Sequence, residues 1–337
     1  MDAACNSMGG DILEQKKETL LELNHVSVRY QDTSEPVLQE IDLAVRQSEI
    51  TCVIGESGCG KSTLLQSILC LPGRVKVTKG DVLFQGGNLH GLSSRKLRTV
   101  RGTGIGVVFQ EPGASLDPIR KICRQFYDAM HAHNPSVTRS EVRGRAAELL
   151  KSMEFTDPER ILDSCPVQLS GGMNQRVAIA LAMALDPAVL LADEPTSALD
   201  VTVQAQVVKE LMGLRDQYGT AILMITHNMG VVAKMADKVA VMYGGRIIEY
   251  GTRTDILKQP VHPYTRALLK AVPKLDGQQP MGILGQKPDH FPEAGCAFAP
   301  RCAQACDSCK TIHLQKHLIQ DEHWVMCRQE VLDAVNP

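Results

Sequence analysis

The chain has 337 residues, with 36 Lys and Arg against 38 Asp and Glu for a formal charge of −2, and 44% apolar residues. That length allows two domains, or one large domain with an appendage, around an ordinary packed core. The near-neutral balance gives no reason to expect nucleic acid as the main partner, and no apolar run approaches the ~18 residues that a bilayer span takes.

Residues 1–19 are polar and are expected to be a flexible lead. The lead lacks a basic-then-apolar export signal, so the chain is expected to stay in the cytoplasm. Leu20–Tyr30 alternates in part and predicts a strand, Gln31–Pro36 a turn, and Val37–Val45 a second strand. The apolar run Ile50–Ile54 predicts a buried strand running into a glycine-rich loop, and Leu64–Leu69 the helix after it. Val82–Gly87 predicts a strand into a turn, and Ile105–Phe109 a short strand ending at Gln110. From Asp117 to Asp163 the pattern is helical, clearest over Val142–Met153. Ser170-Gly171-Gly172 opens a helix through Leu185, and Ala188–Ala192 is a buried strand ending in Asp193-Glu194. Thr202–Tyr218 predicts an amphipathic helix, Ala221–Thr226 a strand ending at His227, and Val239–Tyr250 a hairpin about Gly244-Gly245. Strands alternating with helices predict a mostly parallel, helix-covered sheet, with the early strands and the late hairpin as an antiparallel piece beside it. After Gly251 proline, glycine and cysteine rise and periodicity fades, which places a boundary there.

The loop Gly55-Glu56-Ser57-Gly58-Cys59-Gly60-Lys61-Ser62-Thr63 has the strand–loop–helix context of a phosphate-binding P-loop. Its glycines let successive N–H groups turn inward around phosphate oxygens, and the next helix adds its positive end. Lys61 is expected to reach the β- and γ-phosphates and Ser62 to hold Mg²⁺. Val189–Glu194 delivers two acids at the carboxyl end of a buried strand, where ligands bind in such sheets. Asp193 is expected to hold Mg²⁺ and Glu194 to polarise the attacking water.

Leu169-Ser170-Gly171-Gly172-Met173-Asn174-Gln175 supplies a second anion-binding helix start. Two such devices for one nucleotide imply a head-to-tail dimer with ATP between the subunits. The P-loop, the Ser-Gly-Gly segment and the Asp-Glu strand end, in this order, resemble the ATP-binding-cassette (ABC) ATPases over about residues 20–250. The resemblance implies further roles. Tyr30 would stack on adenine, Gln110 would sense Mg²⁺ and water in the Q-loop, Ser197-Ala198-Leu199-Asp200 would form the D-loop, and His227 would contact the γ-phosphate. Two positions depart from the family pattern: Met173 stands for the common glutamine, and Ser48 for a frequent turn glycine.

Methionine at that position resembles the branch of dipeptide, oligopeptide and nickel importers. Phe109-Gln110-Glu111-Pro112 with Ser115-Leu116-Asp117-Pro118, His262-Pro263-Tyr264-Thr265-Arg266-Ala267-Leu268-Leu269, and Gly295-Cys296 through Pro300-Arg301-Cys302 resemble it too. His262 itself reads as a helix-start residue.

Eleven cysteines are present. With no export signal they argue against a disulfide framework. Cys296, Cys302, Cys309 and Cys327, with Cys306 among them, form a thiol cluster that suits a metal; zinc and a [4Fe–4S] centre both accept four sulfurs. The spacing is not that of a zinc ribbon, and the resemblance favours iron–sulfur. The other cysteines, Cys5 included, read as core or surface thiols, with Cys59 making ATP binding sensitive to alkylation. His131 and His133 read as a solvated helix face.

The expected fold is a P-loop α/β cassette over 20–250, with an antiparallel β subdomain, a helical subdomain over about 111–185, and a Cys-rich C-terminal domain over 251–337. The expected function is ATP hydrolysis that powers an importer of peptides at the cytoplasmic face of the membrane. The resemblance implies as partners two transmembrane permease subunits, a second and paralogous ATPase, and an extracytoplasmic binding protein. Nickel or metallophore import, and a soluble subunit of a phosphonate-breakdown complex, stand as alternatives.

Overall fold

The computed structural model describes residues 17–71, 75–197, 199–272, 282–285, 288, 291–292, 294–311 and 313–328. Most of the expected flexible lead, residues 1–16, therefore lies outside the described residues, as does Cys5. Just before β1 (Thr19–Tyr30), Lys17 Nζ donates to the Ser48 carbonyl at 3.1 Å.

Two sheets build the molecule. β2 (Pro36–Arg46), β1, β4 (Val75–Phe84) and β5 (Gly87–Asn88) form a four-stranded antiparallel sheet in that spatial order. β3 (Ile50–Ile54), β6 (Ile105–Val108), β7 (Val189–Asp193), β8 (Ala221–Ile225), β9 (Lys238–Tyr243), β10 (Arg246–Thr252), β11 (His317–Gln320) and β12 (His323–Val325) form an eight-stranded sheet. Its order is β11-β12-β10-β9-β3-β8-β7-β6. β3 and β8 are buried at every position, as their near-continuous apolar sequences require of parallel strands covered on both faces.

The late hairpin departs from the expectation. β9 pairs parallel with β3, and β10 returns antiparallel beside it, so both strands belong to the large sheet and not to the antiparallel piece. A hairpin pattern specifies that two strands pair with each other; it carries no information about which sheet they join.

The chain between β6 and β7 is mostly helical, with helices Ile122–His131, Arg139–Ser152, Pro158–Asp163 and Gly171–Ala182. Thr138 and Glu141 close a capping box at the start of the second of these, and Asp157 caps the third. Phe126, Val142, Leu149, Leu150, Leu162 and Val177 turn their side chains into one core with β3, β7 and β8. A second core lies between the two sheets and takes in the Lys61–Ile68 helix.

The segment after Gly251 holds more regular structure than its composition predicts. Helices Arg253–Lys258 and Pro263–Lys270 follow β10, and the hairpin β11–β12 returns to the sheet edge through Glu249↔Val325 and Tyr250↔Trp324. Buried Glu249 accepts from the N–H groups of Val261 (2.7 Å) and His262 (3.0 Å) and lies 3.0 Å from His323 Nε2. Glu322, in the β11–β12 turn, pairs with both Arg46 of β2 and Lys238 of β9. The tail is thus bound to both sheets.

Candidate functional site

The chain leaves β3 into the 55–60 loop and re-enters regular structure at the Lys61–Ile68 helix. A Cβ on Gly55 would sit 2.2 Å from the Met242 carbonyl oxygen, and one on Gly60 (φ 106°) 2.6 Å from Leu38. Glycine lets the loop run this close beneath β9 and β2. Lys61 is buried, and its Nζ donates to the carbonyls of Gly55 (2.8 Å) and Glu56 (3.0 Å).

This loop lines a cavity of about 720 Å³ together with Tyr30, Gln110, Glu194 and His227. Gly55, Ser57, Gly58, Gly60, Lys61, Ser62 and Thr63 all face it; Cys59 lies buried beneath the loop, its Sγ 3.9 Å from Lys61 Nζ. The Tyr30 hydroxyl is 3.0 Å from Thr63 Oγ1, and the residue is 40% exposed at the cavity rim. The end of β7 supplies the acids. Burial pushes the Asp193 carboxyl up, and a hydrogen bond with Ser62 works against that shift. Glu194 sits at φ 44°, a left-handed conformation uncommon outside glycine, held by its N–H donating to Ile225 O at 2.9 Å. Strain of this sort gathers at functional sites. Its carboxylate accepts from Gln110 Nε2 at 3.4 Å and lies 3.1 Å from His227 Nδ1.

Ser170, Gly171, Gly172 and Asp200 do not line this cavity. Ser170 Oγ accepts the Met173 N–H at 3.3 Å and starts its helix. Asp200 accepts from Thr202 and Val203, both at 3.0 Å, and starts the Val201–Tyr218 helix. The two starts touch, because a Cβ on Gly172 would lie 2.7 Å from Val203 Cγ1. Ala198 lies outside the described residues. Ser48 adopts φ 53°, so the residue standing where a turn glycine was expected does take the left-handed conformation.

In the tail, Cys296, Cys302, Cys309 and Cys327 line one small cavity of about 20 Å³, with His262 beside them. Among the described residues no group of three or more His, Cys, Asp or Glu side chains could share a metal ion. Burial pushes the Cys296 thiol up to about 11 and the Cys327 thiol to about 12. His262 caps the Pro263–Lys270 helix through Nδ1, which accepts the Tyr264 N–H at 3.0 Å. Its Nε2 therefore carries the proton, and that atom is buried without a hydrogen-bond partner. Cys306 does not line the cavity but lies 3.7 Å from Cys309 Sγ, its thiol pulled down to about 7, chiefly by the Ser308 hydroxyl 2.8 Å away. A larger cleft of about 860 Å³, with Lys258, Arg266 and Lys270 on its wall, holds none of the phosphate-loop residues.

Three residues at or behind the phosphate-loop cavity were given no site role by the sequence reading: Glu56, which lines it, and Tyr264 and Arg301, which contact Glu56. The Glu56 N–H donates to Tyr264 Oη at 2.9 Å, and Arg301 Nη1 donates to Glu56 Oε2 at 2.7 Å. Each lies inside a segment the sequence reading singled out, but nothing local marks the contact.

A family model described as ABC transporter matches residues 38–197, and one described as oligopeptide/dipeptide transporter, C-terminal region, matches residues 248–309. The chain is 41% identical to the probable peptide ABC transporter ATP-binding protein y4tR of Sinorhizobium fredii, over 93% of this chain and 95% of that one. It is 39% identical to the dipeptide transport ATP-binding protein DppD of Bacillus subtilis, over 90% and 92%. It is 37% identical to DppD of Escherichia coli, over 94% and 99%. Among solved structures, CbiO1 of Clostridium perfringens, part of an ABC transporter complex, superposes with TM-score 0.64 at 28% identity, over 72% of this chain and 92% of that one. The ATP-binding cassette MJ0796, a dimer in a post-hydrolysis state bound to ADP and Pi, superposes with TM-score 0.62 at 30% identity, over 69% and 99%. Together with the phosphate loop, the paired acids and the Ser-Gly-Gly helix start, these matches show that the chain belongs to the ATP-binding subunits of the ABC transporter family, with the oligopeptide/dipeptide-type C-terminal region.

Proposed function

We propose that this chain hydrolyses ATP to drive import of peptides through a membrane complex. The observation that carries the reading is the single cavity in which the phosphate loop, Tyr30, Gln110, Glu194 and His227 meet. Tyr30 stacks on adenine, and the loop N–H groups with Lys61 hold the phosphates. Ser62, Gln110 and Asp193 offer oxygen donors suited to Mg²⁺, which supplies charge neutralisation at the phosphates. Glu194 orients and polarises the attacking water, and His227 steadies Glu194 and meets the γ-phosphate.

Ser170, Gly171, Gly172 and Asp200 act across a subunit interface, on nucleotide held by a neighbour's phosphate loop. Their position outside the cavity of their own chain, and Val201 at 81% exposed beside Asp200, support this assignment. The neighbour is a paralogous ATPase. Two permease subunits dock where Phe109, Ile119 and Val167 stand exposed beside Gln110 and the helical region; Val167 and Ile119 are brought together there by the Val167 N–H donating to Pro118 O at 3.1 Å. Among the described residues no helix is long and apolar enough to cross a membrane. In the proposed complex the chain works at the cytoplasmic face through those subunits, and an extracytoplasmic protein delivers the cargo. The working division is a cassette over 20–250, with a helical subdomain over about 111–185, and a C-terminal domain over 251–337.

The four cavity-lining thiols fit an iron–sulfur cluster by donor chemistry. They line one small space, but among the described residues no three of them are placed to share a metal ion, so the assignment rests on the four-sulfur donor set, which zinc also accepts. The shell must open from its small volume, and the buried thiols must release protons on binding. Such a centre supplies structural cross-linking of the tail, and no step of ATP hydrolysis passes through it.

The test is isolation from native membranes with a tag on this chain. Co-elution of permease subunits, with ATPase activity raised by a peptide-loaded binding protein, is expected. Stimulation by a nickel- or metallophore-loaded binding protein alone would move the reading to the metal-importing alternative. Elution with soluble enzyme subunits alone would move it to the non-transport one.

A further inference from the structure

The C-terminal region reaches the nucleotide cavity directly through Leu268 and, from its cysteine-bearing part, through the contact of Arg301 with Glu56. Glu56, the second position of the phosphate loop, lines that cavity. Arg301 grips its carboxylate on both oxygens, Nη1 to Oε2 at 2.7 Å and Nη2 to Oε1 at 3.1 Å. A two-pronged guanidinium–carboxylate pair fixes direction as well as charge. The Arg301 side chain is 5% exposed and that of Glu56 26%, so solvent screens the pair little. Arg301 is itself fixed, donating to Tyr243 Oη at 3.3 Å and to Leu284 O at 3.1 Å.

A second hold acts on the backbone. The Glu56 N–H, which could otherwise turn toward phosphate, donates to the hydroxyl of fully buried Tyr264. Tyr264 meets Tyr243 at 4.6 Å and Phe298 at 5.3 Å between ring centres. Phe298 lies between Cys296 and Cys302 in sequence, and Cys302 directly follows Arg301. The shell of thiols and the grip on Glu56 are therefore built from the same few residues. The Glu56 carbonyl also accepts from Lys61, so any shift of Glu56 moves the partner of the phosphate-binding lysine.

Two consequences follow for a triphosphate. A carboxylate lining its pocket repels it unless a cation neutralises the charge. The loop must also hold its curled path, or its N–H groups miss the phosphate oxygens.

We propose that Arg301 and Tyr264 are positioning residues of the nucleotide site: they neutralise and aim Glu56, and the cysteine-bearing tail thereby sets the ATP affinity of the cassette. The proposal rests on ATP binding by this chain and on nothing about its cargo.

The test is titration of the full chain with MgATP by calorimetry, with thermal melting of each variant alongside. Wild type is the control: absence of binding there would count against the nucleotide site itself, whereas failure of the present proposal shows only in the variants. Arg301→Met is expected to weaken binding about tenfold, within the usual range for coupled sites. Arg301→Lys, which keeps the charge, is expected to recover most of that loss. Adding Glu56→Gln to Arg301→Met is expected to bring affinity back to within about threefold of wild type, because the stranded carboxylate is gone. Wild-type affinity in Arg301→Met, or no recovery in the double variant, overturns the proposal. If Arg301→Met does not fold, Glu56→Gln alone decides: it is expected to bind at least as tightly as wild type, and weaker binding overturns the proposal.

Discussion

Glu194 Oε1 lies 3.1 Å from His227 Nδ1, joining the end of β7 to the end of β8 across the mouth of the phosphate cavity. The two residues are neighbours because β7 and β8 are parallel and in register through Asp193↔Ile225. The histidine side chain remains 63% exposed, so its free edge can reach a bound phosphate.

Replacing that histidine should therefore separate binding from turnover. We expect His227→Ala to keep the dissociation constant of MgATP near that of wild type while kcat falls about a hundredfold, the low end of what a positioned proton-handling group contributes. Steady-state kinetics with a parallel binding titration checks this; a rise in KM with unchanged kcat would assign His227 to binding instead.

The attachment of the C-terminal hairpin should depend on acid. Pairing with Arg46, and then with Lys238, holds the Glu322 carboxyl down to about 2 from its ordinary value. A depressed carboxyl stabilises the fold above its unfolded pKa, near 4.5, and that contribution disappears as pH falls through about 2. Glu322→Gln should lower the melting temperature at neutral pH. Because the carboxylate is partly exposed, the loss should be about 1 kcal/mol or less. The gap between variant and wild type should close as pH falls from about 4.5 toward 2. A gap that is independent of pH would mean that the pairs contribute nothing.

The thiol shell should be separable from the cassette. We expect Cys302→Ser to remove the iron and sulfide of anaerobically purified protein while the melting transition of the cassette persists, since none of its sheet pairings involves Cys302. Wild-type protein free of iron would remove the cluster, and one zinc per chain would replace it with a single-ion site.

What the sequence discloses follows from the range of the interactions involved. β3, β7 and β8 are legible because burial on both faces forces near-continuous apolar runs, broken only by Thr51 in β3 and by Asp193 at the end of β7. The phosphate loop is legible because its geometry demands glycine at fixed positions, as at Gly55 and Gly60. The start of the Pro263–Lys270 helix is legible at His262-Pro263, where the capping residue and the first-turn proline mark it, but β12 spans three residues and leaves no periodic signal long enough to read. The helix Met229–Met235 hides in the same way behind its Asn228 cap.

The contacts of Tyr264 and Arg301 with Glu56 span 208 and 245 residues. No pattern within either segment encodes such a pairing. Cys59 differs again: it sits in the most legible motif of the chain, yet its burial makes it a poor target for alkylation, because the loop covers it. Composition reports which groups are present; tertiary folding decides which of them reagents and partners can reach.

Phosphate release at saturating MgATP by the assembled complex, wild type against Glu194→Gln, bears most directly on the chain as the ATP-hydrolysing subunit. We expect the variant to bind MgATP as tightly as wild type and to turn over at least about a hundredfold more slowly. Equal rates in the two proteins would contradict the assignment of Glu194, and with it the account of how this site works.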